Sequence, residues 1–251
     1  MAVLSGTALA SPVPVDAVVF DMDGVLTDTA RVHRVAWKRL FDDYLQDRAE
    51  RLGEEFVAFT EDDYLAYVDG KRREDGVASF LASRGVDPDP ELVADLAARK
   101  NRYFLSALDR DGVASFPDTV EFVRSLQDAG VATALITASR NAQPVLEGAG
   151  LENLFEVRVD GVVAAELGLP GKPDPAVFVE AMQRLGAATG RTAIVEDAVS
   201  GVQAGRAGGF ALVVGVDRTT GDEHGESLRR QGADIVVSAL DQLEVKVDDA
   251  R

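Results

Sequence analysis

The feature that most constrains the fold of this chain is an alternation of short apolar runs with longer amphipathic segments. In the second half of the chain, apolar runs fall at residues 132–136, 157–160, 192–195, 211–216 and 234–237. Segments with helical periodicity occur among them, at residues 118–129, 141–149, 174–186 and 198–208. Short β-branched runs that alternate with amphipathic helices predict βαβ units, whose strands are parallel and whose helices cover both faces of the sheet.

A further apolar run, at residues 17–20, is separated from the others by a long helical stretch. Residues 28–47 have the periodicity of an amphipathic helix, and residues 50–110 continue with helical patterns that break at Gly70 and at the Pro88/Pro90 pair. The simplest architecture is therefore an α/β protein with a doubly wound, Rossmann-like parallel sheet. An α-helical cap domain is inserted into it after the first strand.

The expected domain boundaries follow from this interruption. We predict that the core domain consists of residues 1–28 and 112–251, and that the cap domain consists of residues 29–111. Asp111-Gly112-Val113 is the expected hinge at which the chain returns to the core, because glycine lets the backbone change direction sharply.

Charge and composition exclude several classes of function. The chain of 251 residues has 43 acidic and 26 basic residues, and its formal net charge is -17. Such a charge argues against nucleic acid or an anionic membrane as a partner, because Lys and Arg hold phosphate backbones. The chain has no cysteine, which excludes disulfides, thiolate catalysis and Cys-ligated zinc. We expect a monomer that acts on a small molecule.

The N-terminal segment, residues 1–14, contains Ala8-Leu9-Ala10, which resembles a signal-peptidase site only superficially. The segment lacks basic residues, and Ser, Gly and Thr break its apolar stretch. No apolar segment of the chain reaches the length of about 18 residues that a membrane span requires. We therefore expect a flexible leader and a cytoplasmic protein.

Two carboxylates stand at the point where the first strand must end. Asp21 and Asp23 directly follow the apolar run in the sequence Asp-Met-Asp-Gly. Open α/β sheets bind ligands at the carboxyl ends of their strands, and carboxylates are costly to bury there without partners. We interpret this segment as a catalytic loop, in which one Asp is a nucleophile and metal ligand and the other is an acid and base. Gly24 permits the sharp turn and the close approach to a ligand.

Further side chains suited to phosphoryl chemistry are expected at other strand ends. Thr137 offers a hydroxyl to a phosphoryl oxygen, and Lys172 offers a positive charge. Glu196 and Asp197 add carboxylates whose mutual repulsion a hard divalent cation, Mg²⁺ above all, would relieve. Each element alone has a simpler explanation: Lys172 as a surface residue, and the acidic pair as a cap on the following helix.

Taken in order, these motifs resemble the haloacid dehalogenase superfamily of aspartate-based phosphotransferases over nearly the whole chain. The resemblance implies that Asp21 becomes an aspartyl phosphate and that Asp23 is the general acid and base. It implies that Thr137 and Lys172 steady the transferring phosphoryl group. It further implies a Mg²⁺ site formed by Asp21, Asp197 and the backbone carbonyl of Asp23, with Glu196 at a matching acidic position.

Segments of the predicted cap, and one segment of the predicted core, are similar to the β-phosphoglucomutase-like subfamily. The similarity lies in residues 28–38, 70–75, 99–101 and 137–140. It implies that Arg73 binds the phosphate that is not transferred and that Ser139 and Arg140 line the phosphoryl site. His33 and Lys100 would couple substrate binding to cap closure.

Some of these residues also have simpler interpretations. Trp37 is assigned to the substrate-binding set, although packing at the cap hinge is its better account. His33 could be a buried structural histidine, Arg72 has no assigned role, and His224 is expected in a loop.

The resemblance implies interconversion of β-glucose 1-phosphate and glucose 6-phosphate through the 1,6-bisphosphate. The alternative is a phosphatase that uses the same catalytic residues on sugar phosphates or other small phosphoesters. A phosphoacceptor signalling domain would leave Asp23, the acidic pair and the cap without a role, and a glycosyltransferase would leave Thr137 and Lys172 without one. His33, Arg73 and Lys100 favour the mutase.

Overall fold

The computed structural model describes residues 1–6 and 9–247. Its strands are β1 (Ala2–Gly6), β2 (Val13–Pro14), β3 (Ala17–Asp21), β4 (Ala132–Ile136), β5 (Val157–Val159), β6 (Thr192–Glu196), β7 (Leu212–Val216), β8 (Ile235–Val237) and β9 (Leu243–Val247). Its α-helices are α1 (Thr29–Leu52), α2 (Glu61–Asp63), α3 (Arg73–Ser83), α4 (Pro90–Asp111), α5 (Pro117–Asp128), α6 (Ala142–Ala149), α7 (Gly161–Glu166), α8 (Ala176–Arg184), α9 (Val199–Ala207) and α10 (Glu223–Gln231). A π-helical turn, Tyr64–Val68, continues α2.

The central sheet has six parallel strands within the described residues, in the order β5-β4-β3-β6-β7-β8. All five residues of β3 are buried, as expected for a strand covered on both faces. Val18 and Phe20 pack into one hydrophobic cluster and Val19 into another, because successive side chains point to opposite faces. This architecture confirms the predicted doubly wound fold.

The position of β3 determines where a ligand can bind. The chain runs from β3 to β4 and β5 on one side, and from β6 to β7 and β8 on the other. The strand order therefore reverses at β3, and ligands of open α/β sheets bind in the crevice at such a point, beyond the carboxyl ends of the strands. Asp21 is the last residue of β3.

The helices α1 to α4 surround a hydrophobic cluster of their own. Its centre is aromatic, with the Phe80 ring 4.1 Å from that of Phe41 and 5.0 Å from that of Phe59. The segment joins the rest of the chain through two neighbouring connections. Asp28 donates its backbone N–H to Ala114, and the N–H of Phe116 bonds Leu26. No helix of the described residues is long and apolar enough to span a membrane.

The prediction of a flexible leader at the N-terminus is wrong. β1 pairs antiparallel with β2 and with β9 in a second sheet, and Leu4 is fully buried against the core. The partner strand β9 comes from the other end of the chain, so local periodicity gave no sign of the pairing. The Ala8-Leu9-Ala10 run lies partly outside the described residues.

Candidate active site

The loop after β3 turns back sharply against the end of β6. The N–H of Asp23 donates to Asp21 Oδ2 over 3.0 Å. Gly24 has φ +85°, and a Cβ at this position would lie 1.8 Å from Asp197 Oδ2. Glycine is therefore required at this position for two reasons: its backbone conformation and the close approach of a carboxylate.

Lys172 joins two carboxylates at the centre of the crevice. Its ammonium lies 2.6 Å from Asp21 Oδ1 and also donates to Glu196 Oε1. Burial by itself would lower the pKa of Lys172, but the charges of Asp21 and Glu196 outweigh it and raise that pKa. Burial raises the pKa of Asp21, with further contributions from Glu196 and Asp23, while Lys172 opposes the shift. The ammonium thus partly neutralises a site that carries excess negative charge.

Glu196 is placed behind this pair, where it does not line the cavity described below. Its side chain is fully buried, and Oε2 accepts the N–H of Ala198 over 2.8 Å. A Cβ at Gly201 would meet its carboxylate at 1.9 Å, so α9 also needs a glycine there. Glu196 therefore orients Lys172 as well as adding charge to the site.

Three carboxylates form a cluster suited to a divalent cation. Asp21, Glu196 and Asp197 each offer an oxygen, and these atoms all lie within 4.8 Å of one another. The pKa of Asp197 is raised by burial first and by Glu196 and Asp69 second, so its ionised form lacks a full counter-charge. Oxygen ligands and unbalanced charge fit a hard cation such as Mg²⁺ or Ca²⁺. The carboxylate of Asp23 is outside this cluster.

Asp23 is held instead by hydroxyl groups and by an imidazole. Its carboxylate accepts hydrogen bonds from Thr29 over 2.5 Å and from Thr137 over 3.1 Å, and Nε2 of His33 lies 3.4 Å away. Burial opposes ionisation of this carboxyl, but His33 and the two hydroxyls outweigh burial and hold its pKa at about 2. The pKa of Asp21 is thus raised and that of Asp23 is lowered, although both residues belong to the same loop.

A second group of cations faces Asp23 from the helical segment. Lys100 contacts Nδ1 of His33 at 2.5 Å, and its ammonium lies 5.0 Å from the Trp37 ring centroid. Burial lowers the pKa of Lys100, and the nearby Arg73 lowers it further. Burial and Lys100 likewise lower the pKa of His33. His33 therefore lies between Lys100 and Asp23.

These residues meet in one cavity of about 250 Å³ between the sheet edge and the helical segment. Its lining includes every predicted site residue except Glu196, namely Asp21, Asp23, His33, Trp37, Arg73, Lys100, Thr137, Ser139, Arg140, Lys172 and Asp197. Burial lowers the pKa of Arg73, and the charge of Arg140 adds to that effect. Two neighbouring guanidinium groups in one cavity suit an anionic ligand.

Sequence reasoning missed several polar residues of the site, including Tyr64, Asp69 and His224. Tyr64 and Asp69 line the cavity and bond to each other, and burial raises the pKa of Asp69 to about 6. His224, expected in a loop, lies in α10 and its Nε2 is 2.8 Å from the carbonyl oxygen of Asp197. The break at Gly70 marked the turn beside Asp69, but nothing local indicated that this turn faces the sheet.

Comparison with known proteins identifies the family of this chain. A family model of haloacid dehalogenase-like hydrolases matches residues 15–209. The chain belongs to this family. It is 46% identical over 245 residues to the β-phosphoglucomutase of Mycobacterium bovis, and the match covers 94% of each chain.

Two more distant proteins extend the comparison. A phosphorylated carbohydrates phosphatase of Thermotoga maritima is 28% identical over 232 residues, which cover 92% of this chain and 97% of that protein. The crystal structure of a β-phosphoglucomutase from Clostridium difficile has a TM-score of 0.71 at 24% identity, and covers 91% of this chain and 92% of that one. The structural likeness supports the fold.

Proposed function

We propose that this protein is a Mg²⁺-dependent phosphotransferase that works through an aspartyl phosphate on Asp21, and that its reaction is that of a β-phosphoglucomutase. One observation carries the proposal. A single cavity is lined by Asp21 and Lys172 and also by Arg73, a cation of the helical segment. A substrate with two phosphate groups needs such a second cation, and the identity to the Mycobacterium bovis enzyme adds independent support.

The two aspartates divide the chemistry between them. Phosphorylated Asp21 gives its phosphoryl group to the 6-hydroxyl of β-glucose 1-phosphate, and Asp23 accepts the proton of that hydroxyl. The bisphosphate then reorients, its 1-phosphoryl group returns to Asp21, and Asp23 donates the proton to the departing sugar oxygen. The hydrogen bonds from Thr29 and Thr137 keep Asp23 beside the reacting oxygen.

The cation has a defined place in this proposal. Asp21, Asp197, Glu196 and the backbone carbonyl of Asp23 are the residues that would hold Mg²⁺. When bound, it supplies charge neutralisation for the phosphoryl oxygens. Lys172 supplies a further positive charge beside Asp21, and Thr137 donates a hydrogen bond.

The remaining cavity residues bind and enclose the sugar phosphate. Arg73 holds the phosphate that is not transferred, while Ser139 and Arg140 line the phosphoryl site. His33 and Lys100 couple substrate binding to the position of Asp23, and Trp37 packs under Lys100. We further propose that residues 29–111 form a cap domain over a core of residues 1–28 and 112–251, which keeps water from the aspartyl phosphate.

A phosphatase is the second candidate, because the same residues would also serve transfer to water. The Thermotoga maritima relative carries that activity in its name. Arg73, His33 and Lys100 favour the mutase, since hydrolysis of a monoester needs no second anion site. We propose a small phosphorylated sugar as the partner, and a cytoplasmic monomer as the form in which the protein acts.

An assay with β-glucose 1-phosphate tests the proposal. The reaction is started with Mg²⁺ and a trace of the 1,6-bisphosphate, and glucose 6-phosphate and free phosphate are followed together. Rapid formation of glucose 6-phosphate with little free phosphate supports a mutase. Free phosphate without glucose 6-phosphate would assign the protein as a phosphatase, and removal of Mg²⁺ with EDTA should stop either reaction.

A further inference from the structure

Arg72 stands next to the proposed phosphate-binding Arg73, but its side chain is directed at the core. Its Nε and Nη2 bond the two carboxylate oxygens of Asp75 over 2.6 and 3.1 Å. Its Nη1 points the other way and lies 3.4 Å from the carbonyl oxygen of Leu169. Asp75 therefore fixes the guanidinium in an orientation that reaches from the helical segment to a loop of the core.

The side chain of Arg72 also lies directly on the backbone that leads to Lys172. A Cβ at Gly171 would lie 2.9 Å from Arg72 Nε and 3.1 Å from its Cγ. Any larger residue at Gly171 would thus push the arginine away. The contact connects the helical segment to Gly171, which immediately precedes Lys172, and the ammonium of Lys172 is bonded to Asp21.

Arg72 belongs to a turn formed by residues 69–72, and α9 contacts this turn from the other side. The hydroxyl of Ser200 donates to the carbonyl of Asp69 over 2.9 Å. Gly70, with φ +66°, sits so close that a Cβ would be 2.4 Å from Ser200 Oγ and 2.8 Å from the Ala198 Cβ. The turn of residues 69–72 is therefore seated between the loop before Lys172 and the helix that follows Asp197.

We propose that Arg72 is a positioning residue that keeps this turn seated on the core and so decides whether the phosphoryl group passes to sugar or to water. The inference rests on the proposed function. In either outcome the bond between Asp21 Oδ and phosphorus breaks and Asp23 accepts a proton. A sugar hydroxyl gives a bisphosphate, whereas water gives inorganic phosphate.

The position of the turn explains why a sugar hydroxyl, and not water, accepts the phosphoryl group. The turn closes the cavity wall between the two loops that carry Lys172 and Asp197. Arg72 takes no part in either bond-making step in this proposal, because its guanidinium bonds Asp75 and Leu169 and contacts neither Asp21 nor Asp23. Its loss should therefore admit water without removing the chemistry.

The experiment compares Arg72→Ala with the wild-type enzyme in the assay that follows glucose 6-phosphate and free phosphate together. We expect the ratio of free phosphate to glucose 6-phosphate to rise about five- to tenfold, the effect of losing one partly exposed hydrogen bond of ordinary strength. Arg72→Lys should restore part of the ratio, and Ser200→Ala should raise it in the same direction. Arg102→Ala, which removes an exposed arginine of α4, should leave it unchanged.

A distance measurement separates seating of the turn from catalysis. Because the chain has no cysteine, labels can be attached to cysteines introduced at Ala66 and Gln183, which are exposed on the helical segment and on α8. Arg72→Ala should broaden the distribution of label distances towards longer values, and Arg102→Ala should not.

Two results would overturn the inference. One is a ratio in Arg72→Ala equal to that of the wild type, which includes a proportional loss of both products and would make Arg72 merely structural. The other is a raised ratio with unchanged label distances, because the turn would then still be seated. Failure of the proposed function gives a different pattern, because the wild-type enzyme itself would then form no glucose 6-phosphate. In that case the label distances alone decide whether Arg72 seats the turn.

Discussion

The ammonium of Lys172 lies 2.6 Å from Oδ1 of Asp21, although the two residues are separated by 151 positions in the sequence. The fold brings them together at the carboxyl edge of the sheet, and Glu196 holds Lys172 from behind. A nucleophile next to a fixed cation is partly shielded from the negative charge of an incoming phosphate. The pair is therefore the first target for mutation.

Asp21→Asn should abolish phosphoryl transfer while the fold survives. The amide is nearly isosteric but is not a nucleophile, so we expect a loss of at least about 1000-fold in kcat. Lys172 keeps its bond to Glu196, which preserves the local structure. Steady-state kinetics and a thermal melt check this prediction, with the exposed Asp128→Asn as the control. Wild-type activity in Asp21→Asn would refute the assignment of the nucleophile.

Arg73→Ala should separate substrates by their number of phosphate groups. We expect kcat/KM for the sugar bisphosphate to fall about 100-fold, because a bidentate guanidinium–phosphate contact is lost. Hydrolysis of a small aryl phosphate, which has no second phosphate, should change less than about threefold. The control is Arg31→Ala, an arginine of α1 whose side chain is 67% exposed. Equal losses on both substrates would make Arg73 a structural residue.

Gly24→Ala should weaken the response to Mg²⁺. A methyl group at this position would lie 1.8 Å from Asp197 Oδ2, so the carboxylate must move. We expect the Mg²⁺ concentration for half-maximal activity to rise more than about tenfold, as for a loss of 1.4 kcal/mol or more.

Gly130→Ala is the matched control for this change. Gly130 also has a positive φ, +74°, but a Cβ there meets nothing within 4 Å. The control therefore carries the backbone strain alone, and should cost about 1 kcal/mol of stability without changing the Mg²⁺ titration. If the two variants respond alike to Mg²⁺, the close approach of Gly24 to Asp197 is not what matters.

Asp69→Asn should stabilise the metal-free protein at neutral pH. Burial raises the pKa of Asp69 from 3.8 to about 6, so the folded protein binds more protons than the unfolded chain between these values. Stability is therefore lost as the pH rises through this window, and the amide removes that loss. Urea denaturation should show a gain of up to about 3 kcal/mol at pH 7.5 that falls towards zero at pH 4 and below. An equal difference at both pH values would contradict the shift.

The parallel sheet and its catalytic edge could be predicted because the signals are local. Each strand of the sheet is a short apolar run, and polar residues such as Asp21 and Thr137 follow where a run ends. The carboxyl ends of parallel strands meet, so residues far apart in sequence could be assigned to one site. The lining of the cavity agrees with that reasoning.

The contacts that could not be predicted are those that depend on distant parts of the chain. β1 is a strand because β9 and the short β2 pair with it, and its own five residues carry no strong periodicity. Asp69 reaches the site because Gly70 seats its turn against Ser200. Glu196 shares the acidic cluster with Asp21 and Asp197, but its bonds to Lys172 and Ala198 keep it out of the cavity lining. In each case a contact with a residue distant in the sequence determines the position.

The two connections between the helical segment and the sheet run side by side. Asp28 bonds Ala114 and Phe116 bonds Leu26, and Thr27 pairs with Ser115. A segment whose two ends meet in this way can be lengthened, shortened or exchanged with little disturbance to the strands it leaves and rejoins. Evolution can thus change which molecules are admitted to the reaction while the reacting groups stay in place, so that selectivity and chemistry are inherited separately.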